Sequence, residues 1–431
     1  MNNDGHFSYK YNDFVTYLVV CLVAGLLGIL TGLFTALCGY VLLEITYLRS
    51  EHLFYFLASM PIVASLLIWV RNRFMPRNVL SDVFRICCLG TKIEHIPFRY
   101  MPFIMIGTWT SHVVGASVGR EGVAMQIGAT ISDAFTKRIK ALYTFKEFDR
   151  IRKTLLVCGF AAGFAGLFHV PFAAIVFAFE LLIVNDLFLF AIIPTFLSSF
   201  VSFGISTLVG LKKFEVDFSG VALPIFSTSV ILKLVFLGVL FGLIGFLFSA
   251  LLKNLRRFVE IILPNSLFRI FISSIFLAPL LLFTFQGRYT GLGINFINDV
   301  FFSSNPHIYW FDWCLKLLFT VLCLAAGFFG GEVTPLFSIG VCFGFWIGSI
   351  VGISPVLCAA LGFVAVFAAA TNTFLGASIL AWEIFGFHVF VFAIFVTFFA
   401  YLVNFNYSIY SNLFIRDKDS LGFRKFFKLG I

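Results

Sequence analysis

The chain has 431 residues, of which 60% are hydrophobic and only 12% are charged, and its formal net charge is +9. Soluble domains carry about 25% charged residues, so this composition excludes an ordinary soluble domain and predicts a membrane protein with several spans. The basic residues lie beside apolar segments, which favours a positive-inside bias over a nucleic-acid partner. The nine cysteines show no metal-binding spacing with histidines, so we expect neither a metal nor another cofactor.

After a polar lead at 1–14, which we expect to be cytoplasmic, apolar segments fill most of the chain. They lie near 15–48, 52–70, 101–117, 121–136, 154–168, 171–184, 187–210, 228–252, 262–285, 312–328, 334–350, 353–370, 374–386 and 388–405. Several are shorter than the about 20 residues that cross roughly 30 Å of hydrocarbon. Short, glycine-interrupted segments are typical of transporters with broken or re-entrant helices. We therefore predict an all-α polytopic membrane protein.

Two stretches indicate an internal repeat. PFAAIVFAFE (171–180) aligns with FLGASILAWE (374–383) without a gap, and both end in a glutamate, Glu180 and Glu383. The repeat and a polar linker divide the rest of the chain into four parts: a first membrane half (15–210), the linker (211–227), a second membrane half (228–405), and a pore-facing last helix with a basic cytoplasmic tail (406–431).

Four clusters of basic residues predict the orientation of these halves. They follow the second span, the segment that begins at Glu121, the first long helix of the second half, and the end of the second half. Placing all four in the cytoplasm requires an even number of crossings before residue 71 and opposite starting sides for the two halves. The sequence thus predicts inverted halves with cytoplasmic termini, in the cell (inner) membrane if the source is bacterial.

GASVGREGVAMQIGA (115–129) places Arg120 and Glu121 between glycines in an apolar segment. An ionised carboxylate at mid-membrane costs about 2.5–3.5 kcal/mol on insertion scales, so such residues usually face a cavity. The N–H groups and dipole at a helix start favour an anion, whether a carboxylate or a halide. We therefore predict that Glu121 gates an anion pathway and couples it to proton uptake. The alternative is a buried Arg120–Glu121 pair that staples two helices, although adjacent helical residues point about 100° apart.

GFFGGEVTPLFSIG (327–340) is a second glycine-flanked helix start. Its glycines predict a tight turn, and Pro335 is typical of a first helical turn. The N–H groups of Val333 and Thr334 and the Thr334 hydroxyl are then candidate anion donors, and Glu332 is a second intramembrane carboxylate. The alternative is a glycine-assisted helix crossing that the proline merely starts.

These motifs together resemble one family. GREGV (119–123) resembles the gating-glutamate motif of CLC chloride channels and proton-coupled antiporters, usually GREGP, and GGEVTP (330–335) resembles their second anion-binding loop. The segments ending in Glu180 and Glu383 resemble the paired inner helices, and SIY (408–410) lies where the last helix ordinarily presents a tyrosine. The resemblance covers residues from about 15 to 416.

The resemblance implies a CLC-like inverted-repeat bundle, with a homodimer in the lipid bilayer and one pore per subunit. It implies that Glu121 carries the outer proton and competes with the anion for its site. It places the anion among the following residues: Gly119, Arg120, Gly122, Val123, Gly331, Val333, Thr334 and Tyr410.

Departures from the usual pattern resemble the fluoride-exporting branch of the family. Val123 replaces the proline, Glu332 stands in the second loop, and Leu181 occupies the place of the inner proton-carrying glutamate. The serine loop GSGxP is missing, and Asn78 in PRNVLSDVF (76–84) is the best polar candidate there. Fluoride is small and strongly hydrated, so it needs more hydrogen-bond donors than chloride to replace its water.

Further polar groups leave two interpretations open. Thr371, Asn372 and Thr373 could donate to fluoride, or they could cap the helix that starts near Phe374. His169 could relay protons, although a lone histidine is more often a packed, hydrogen-bonded residue. Glu180 and Glu383 could titrate or could hydrogen-bond neighbouring segments.

We therefore expect transport of a small halide, with fluoride/proton exchange favoured. A chloride channel or a chloride/proton antiporter is the alternative within the class. An intramembrane enzyme using Glu121 or Glu332 as an acid is a remote alternative, because the sequence has no HExxH spacing. A structural or receptor-like protein is equally remote, because carboxylates recur at broken helices.

Overall fold

The computed structural model describes residues 4–75, 96–139, 145–182, 187–405 and 407–410. These residues form fifteen α-helices and a short 3-10 turn (Phe285–Gly287), and the described part contains no strand beyond one isolated bridge. The helices are α1 (Asp4–Glu51), α2 (Leu53–Phe74), α3 (Tyr100–Val113), α4 (Glu121–Ile139), α5 (Phe145–Phe168), α6 (Pro171–Leu182), α7 (Leu187–Val209), α8 (Thr228–Ile262), α9 (Ser266–Phe283), α10 (Ile294–Phe302), α11 (Asp312–Ala326), α12 (Val333–Val351), α13 (Pro355–Thr371), α14 (Leu375–Phe385) and α15 (Phe387–Val403).

Seven of the described helices, α1, α2, α5, α7, α8, α9 and α12, are long and apolar enough to cross a membrane. Four other apolar helices, α6, α13, α14 and α15, have only 10–17 residues. The prediction of an all-α polytopic protein that mixes full spans with short helices is confirmed. The polar lead at 1–14 lies largely within α1, which begins at Asp4.

Helix boundaries correct the expectation that the basic clusters follow the helices. The third basic cluster consists of Lys253, Arg256 and Arg257, and it lies inside α8, which continues to Ile262. α5 begins at Phe145, well before the predicted 154, and includes Arg152. Arg152 is buried, and its guanidinium lies 2.8 Å from the Asp133 carboxylate of α4. Such a buried ion pair joins two helices and does not report on loop orientation. The short amphipathic helix α10 is also absent from the predicted segments.

The two halves repeat the same local geometry. α4 and α12 each have 19 residues and each follow a glycine-rich loop. His169, between α5 and α6, has a φ of 60°, and Asn372, between α13 and α14, has a φ of 62°. Left-handed backbone is uncommon for residues other than glycine, so its recurrence at matching places supports the repeat.

Close helix crossings also recur in both halves. A Cβ on Gly128 of α4 would lie 1.8 Å from the Gly159 carbonyl oxygen of α5, and a Cβ on Gly340 of α12 would lie 2.1 Å from the Gly362 carbonyl oxygen of α13. Only glycine permits this backbone contact. The crossings place the starts of α4 and α12 inside the bundle.

The inner helices of the repeat cap each other. The Glu180 carboxylate near the end of α6 accepts the N–H groups of Phe374, Leu375 and Gly376 at the start of α14, at 2.7–2.9 Å. Glu383 near the end of α14 accepts those of Phe172 and Ala173 in α6, at 3.1 and 2.7 Å. Each carboxylate therefore satisfies the unpaired donors at the positive end of the other helix.

The linker between the halves packs on the second half. The Val216 N–H donates to the Ile384 carbonyl at 3.1 Å, and the side chains of Val216 and Phe218 are buried. The linker is thus an ordered part of the bundle.

Candidate functional site

The two glycine loops pair with each other inside the bundle. The Gly119 N–H donates to the Gly331 carbonyl at 2.5 Å, and the Gly331 N–H donates to the Gly119 carbonyl at 2.8 Å. A Cβ on Gly119 would lie 2.7 Å from the Gly331 oxygen and 2.6 Å from Oε2 of Glu121, so glycine is required for this contact. The pairing brings the first turns of α4 and α12 together, as the sequence motifs predict.

Glu121 lies between these helix starts. It is the first residue of α4 and its side chain is 0% exposed. Its Oε2 accepts the N–H of Thr334 from the other half at 3.0 Å and the N–H of Arg120 at 3.0 Å. The carboxylate thus occupies a place where two helix starts direct donors, which is where an anion would bind.

Arg120 makes only a long contact with its neighbour. Its Nε lies 4.0 Å from Oε1 of Glu121, beyond hydrogen-bond distance. Within the described part of the chain, Nε and Nη1 of Arg120 and Oε1 of Glu121 have no hydrogen-bond partner. Stapling by this pair is therefore weaker than the backbone donation to Oε2.

The second loop supplies the donors around Glu121. α12 begins at Val333, and Pro335 lies in its first turn. The N–H of Thr334 is held by Glu121 and is not an open donor, which corrects the expectation for this group. The Thr334 hydroxyl is buried and finds no partner among the residues described here. Gly122 and Val123 follow Glu121 in the first turn of α4.

Tyr410 reaches the same region from the end of the described chain. The N–H of Ile409 donates to the Ala370 carbonyl at 2.9 Å, and the Ser408 hydroxyl donates to the Thr371 carbonyl at 2.9 Å. These contacts hold the segment against the end of α13. Tyr410 is buried and lies close enough to Glu332 and Glu121 to interact electrostatically with both. Glu332 is half-buried at the start of α12.

The residues 371–373 do not cap α14. Phe374 is the N-cap residue of α14, and its side chain makes no capping hydrogen bond. The Glu180 carboxylate accepts the first N–H groups of the helix instead. The Thr371 hydroxyl instead donates to the Phe367 carbonyl at 2.7 Å and lies 2.7 Å from that of Thr373. Asn372 accepts from Asn404 at 2.9 Å. The capping interpretation is wrong, and these side chains fix a turn.

The other candidates either make hydrogen bonds in the structure or fall outside the described chain. His169 is buried and lies 3.0 Å from the Ser206 hydroxyl, so it is a packed, hydrogen-bonded residue. Glu180 and Glu383 accept hydrogen bonds from neighbouring segments, as the second of their two interpretations expects. Asn78 and the segment 411–431 lie outside the described residues.

Sequence reasoning missed three basic residues behind the first loop. Arg49, His112 and Lys316 are buried and contact the loop at 114–119 or its flanks. Lys316 carried a signal, because it is the only cation within the apolar run 312–328. Arg49 and His112 lie in the last turns of α1 and α3, where basic residues are ordinary.

Helix starts from two repeated halves meet around a buried carboxylate inside an apolar bundle, which defines a polytopic membrane protein with broken helices. The chain belongs to the CLC family: the family model for voltage gated chloride channels matches residues 63–404.

Two curated relatives are similar to this chain over most of its length. A chloride/fluoride channel protein of Pseudomonas syringae pv. tomato is 35% identical over 297 residues, which make up 68% of this chain and 63% of that protein. An H(+)/Cl(-) exchange transporter of Vibrio campbellii is 25% identical over 285 residues, 64% of this chain and 59% of that protein. The matches therefore span just under two thirds of these relatives' lengths.

Solved structures share the fold. The crystal structure of a CLC-type fluoride/proton antiporter has a TM-score of 0.85 and 35% identity, and the match covers 91% of this chain and 97% of that one. A slow cyanobacterial Cl-/H+ antiporter, at 19% identity and a TM-score of 0.75, shares the fold over 92% of this chain and 97% of its own.

Proposed function

We propose that the protein transports a small halide across the membrane, that fluoride is its preferred substrate, and that Glu121 couples the anion to a proton. The observation that carries this proposal is the position of the Glu121 carboxylate. Its Oε2 accepts N–H groups of Thr334 and Arg120, both at 3.0 Å. Those donors suit a halide equally, so the carboxylate and the anion compete for one place.

The proton follows from this competition. A protonated Glu121 loses its attraction to the helix starts and leaves the donors to an anion. An ionised Glu121 returns to them and displaces the anion. Each exchange at the site therefore changes the protonation of one carboxylate, which is the minimum requirement of proton-coupled transport.

Fluoride is favoured over chloride for a physical reason. When Glu121 leaves, the site offers the N–H groups of Thr334 and Arg120 beside the buried Thr334 hydroxyl. Fluoride loses strong hydration on binding, and it gains most from several short, directed hydrogen bonds. The 35% identity to a fluoride/proton antiporter supports this assignment.

The second candidate is a chloride channel or chloride/proton exchanger. The family description and the match to the Vibrio exchange transporter favour it. The family consists of transporters and channels, and we assign this chain no enzymatic activity.

We further propose a homodimer with both termini in the cytoplasm, in the inner membrane if the source is bacterial. Phe172 of α6 and Trp382 of α14 are 38% and 43% exposed and pack against each other with ring centroids 5.6 Å apart. This aromatic face lies where the mutually capped helices of the two halves meet. A second copy would cover it, with lipid covering the remaining apolar surface.

Proteoliposomes loaded with fluoride or with chloride test the function. Efflux is read with ion-selective electrodes while external pH is recorded. We expect fluoride efflux with proton movement in the opposite direction and slower chloride efflux. Chloride efflux as fast as fluoride efflux would favour the second candidate, and steady anion flux without proton movement would contradict exchange.

A further inference from the structure

Three basic side chains from three helices lie behind the loop 114–119. Arg49 comes from the last turn of α1, His112 from the last turn of α3, and Lys316 from the second turn of α11. Their exposed fractions are 7%, 0% and 0%. We call Arg49, His112 and Lys316 the buried basic cluster.

Lys316 has contacts that suit a charged ammonium group. Its Nζ donates to the Ser117 hydroxyl at 2.8 Å, the Gly291 carbonyl at 2.7 Å and the Tyr289 carbonyl at 3.2 Å. The ammonium form has three N–H donors and no acceptor, and three oxygen acceptors match it. A neutral amine has only two N–H donors, so it would keep all three contacts only if the Ser117 hydroxyl donated to its nitrogen.

The other two residues hold the flanks of the same loop. Arg49 Nη1 donates to the His112 carbonyl at 2.9 Å, where the loop begins. Nε2 of His112 lies 3.4 Å from the carbonyl oxygen of Gly119, where the loop meets α4. The cluster therefore contacts the chain on both sides of Ser117 and ends one residue before Arg120.

Lys316 also adjoins the second helix start. A Cβ on Gly293 would lie 2.8 Å from Cε of Lys316 and 2.4 Å from the Ser338 hydroxyl of α12. The aliphatic stem of Lys316 therefore packs near the first turns of α12, while its ammonium group bonds to the loop before α4. Lys316 therefore lies near both elements of the proposed anion site.

Among the described residues, no carboxylate is a hydrogen-bond partner of Arg49 or Lys316. In the described part of the chain, the hydrogen-bond partners of Arg49 and Lys316 are carbonyl and hydroxyl oxygens. The nearby Asp312 is engaged by Arg288 and by the Tyr289 hydroxyl, at 2.9 and 2.6 Å. Buried, uncompensated charges are costly in a membrane protein and usually serve a function.

We propose that Lys316 and Arg49 provide the fixed positive charge that attracts the halide to the site beside Glu121. The negative charge that balances them is the anion itself or the Glu121 carboxylate, whichever occupies the site. Lys316 is thus an affinity-determining residue that touches the loop rather than the anion. This inference rests on the proposed anion transport and adds two charged residues behind that site.

Lys316→Gln tests the inference, with Thr320→Val as the matched control. Thr320 lies 2.9 Å from the same Ser117 hydroxyl and belongs to the same helix, so its loss removes a contact of the loop without removing charge. Fluoride binding to purified, folded protein is measured by isothermal titration calorimetry, and half-saturation of efflux is measured in proteoliposomes. We expect Lys316→Gln to raise the dissociation constant for fluoride and the half-saturating fluoride concentration by about tenfold each. This is the effect of a unit charge at an effective dielectric constant of about 20. We expect Thr320→Val to stay within about twofold of wild type, as for loss of one neutral contact.

Equal affinity of Lys316→Gln and wild type would overturn the inference, as would an equal loss in Thr320→Val. If Lys316→Gln does not fold, Lys316→Arg and Arg49→Gln provide the test. The first is then expected to bind fluoride as wild type does, and the second to bind it several-fold more weakly. Wild-type affinity in Arg49→Gln would overturn the inference. A wild-type protein that moves no anion would instead refute the proposed function, so the two failures can be distinguished.

Discussion

The Glu121 carboxylate accepts a hydrogen bond at 3.0 Å from the backbone of Thr334, a residue 213 positions away in the other half of the repeat. One half therefore contributes the acid and the other contributes the donor. The glycine pair Gly119–Gly331 holds the two loops in this arrangement. An anion pathway built this way depends on both halves.

Replacing Glu121 with glutamine should separate anion flux from proton flux. The amide is similar in size, but it carries no charge and takes up no proton. We expect Glu121→Gln to conduct anion with no opposing proton movement, measured with electrodes in proteoliposomes. The control is Glu51→Gln, because Glu51 is exposed at the end of α1. Normal proton coupling in Glu121→Gln would remove the gating role.

Removing the Tyr410 hydroxyl should weaken anion affinity without abolishing transport. One hydroxyl donor to a charged group contributes about 1.5–3 kcal/mol at most. We expect Tyr410→Phe to raise the half-saturating fluoride concentration by about tenfold, which corresponds to the lower end of that energy range. Tyr407→Phe is the control on the same segment, since Tyr407 is 37% exposed. Unchanged affinity in Tyr410→Phe would exclude its hydroxyl from the site.

The mutual capping of α6 and α14 predicts an effect on stability. Glu180 accepts three backbone N–H groups and Glu383 accepts two. Truncation leaves these buried donors unsatisfied, so Glu180→Ala should lower the free energy of unfolding by about 1–3 kcal/mol. Glu383→Ala should have a smaller effect.

Thermal unfolding in detergent measures this prediction. Glu260→Ala is the control, because the Glu260 carboxylate is half exposed and its ion pair with Arg269 is long, at 3.9 Å. A loss of proton coupling without a loss of stability in Glu180→Ala would assign that residue a titrating role instead.

The glycine crossings predict which substitutions prevent folding. A Cβ at Gly128 would lie 1.8 Å from the Gly159 carbonyl, whereas a Cβ at Gly204 would meet nothing within 4 Å. Gly128→Ala must separate α4 from α5, which costs about 1–3 kcal/mol or more. We expect loss of the monodisperse peak in size-exclusion chromatography for Gly128→Ala and none for Gly204→Ala. Normal behaviour of Gly128→Ala would show that the crossing can open.

The sequence predicted the fold and the centre of the site because strong local signals carry both. Carboxylates and glycines in apolar surroundings are rare enough to identify Glu121 and the two loops. The alignment ending at Glu180 and Glu383 identified the repeat for the same reason.

Other features depend on contacts between distant residues. Composition gave no reason to join Arg152 to Asp133 or Arg49 to the His112 carbonyl, because these pairs form only when helices pack. Thr371 and Thr373 resembled a helix cap locally, yet Glu180 from the other half satisfies that helix start. Local propensity cannot reveal a partner 194 residues away.

Proton uptake on fluoride binding tests most directly whether the acid and the anion exchange at one place. Isothermal titration calorimetry in two buffers of different ionisation enthalpy gives the number of protons taken up per fluoride bound. We predict uptake by the wild-type protein, because displaced Glu121 becomes protonated, and fluoride binding without uptake by Glu121→Gln. Equal proton uptake by both proteins, or fluoride binding by the wild type with none, would contradict the account.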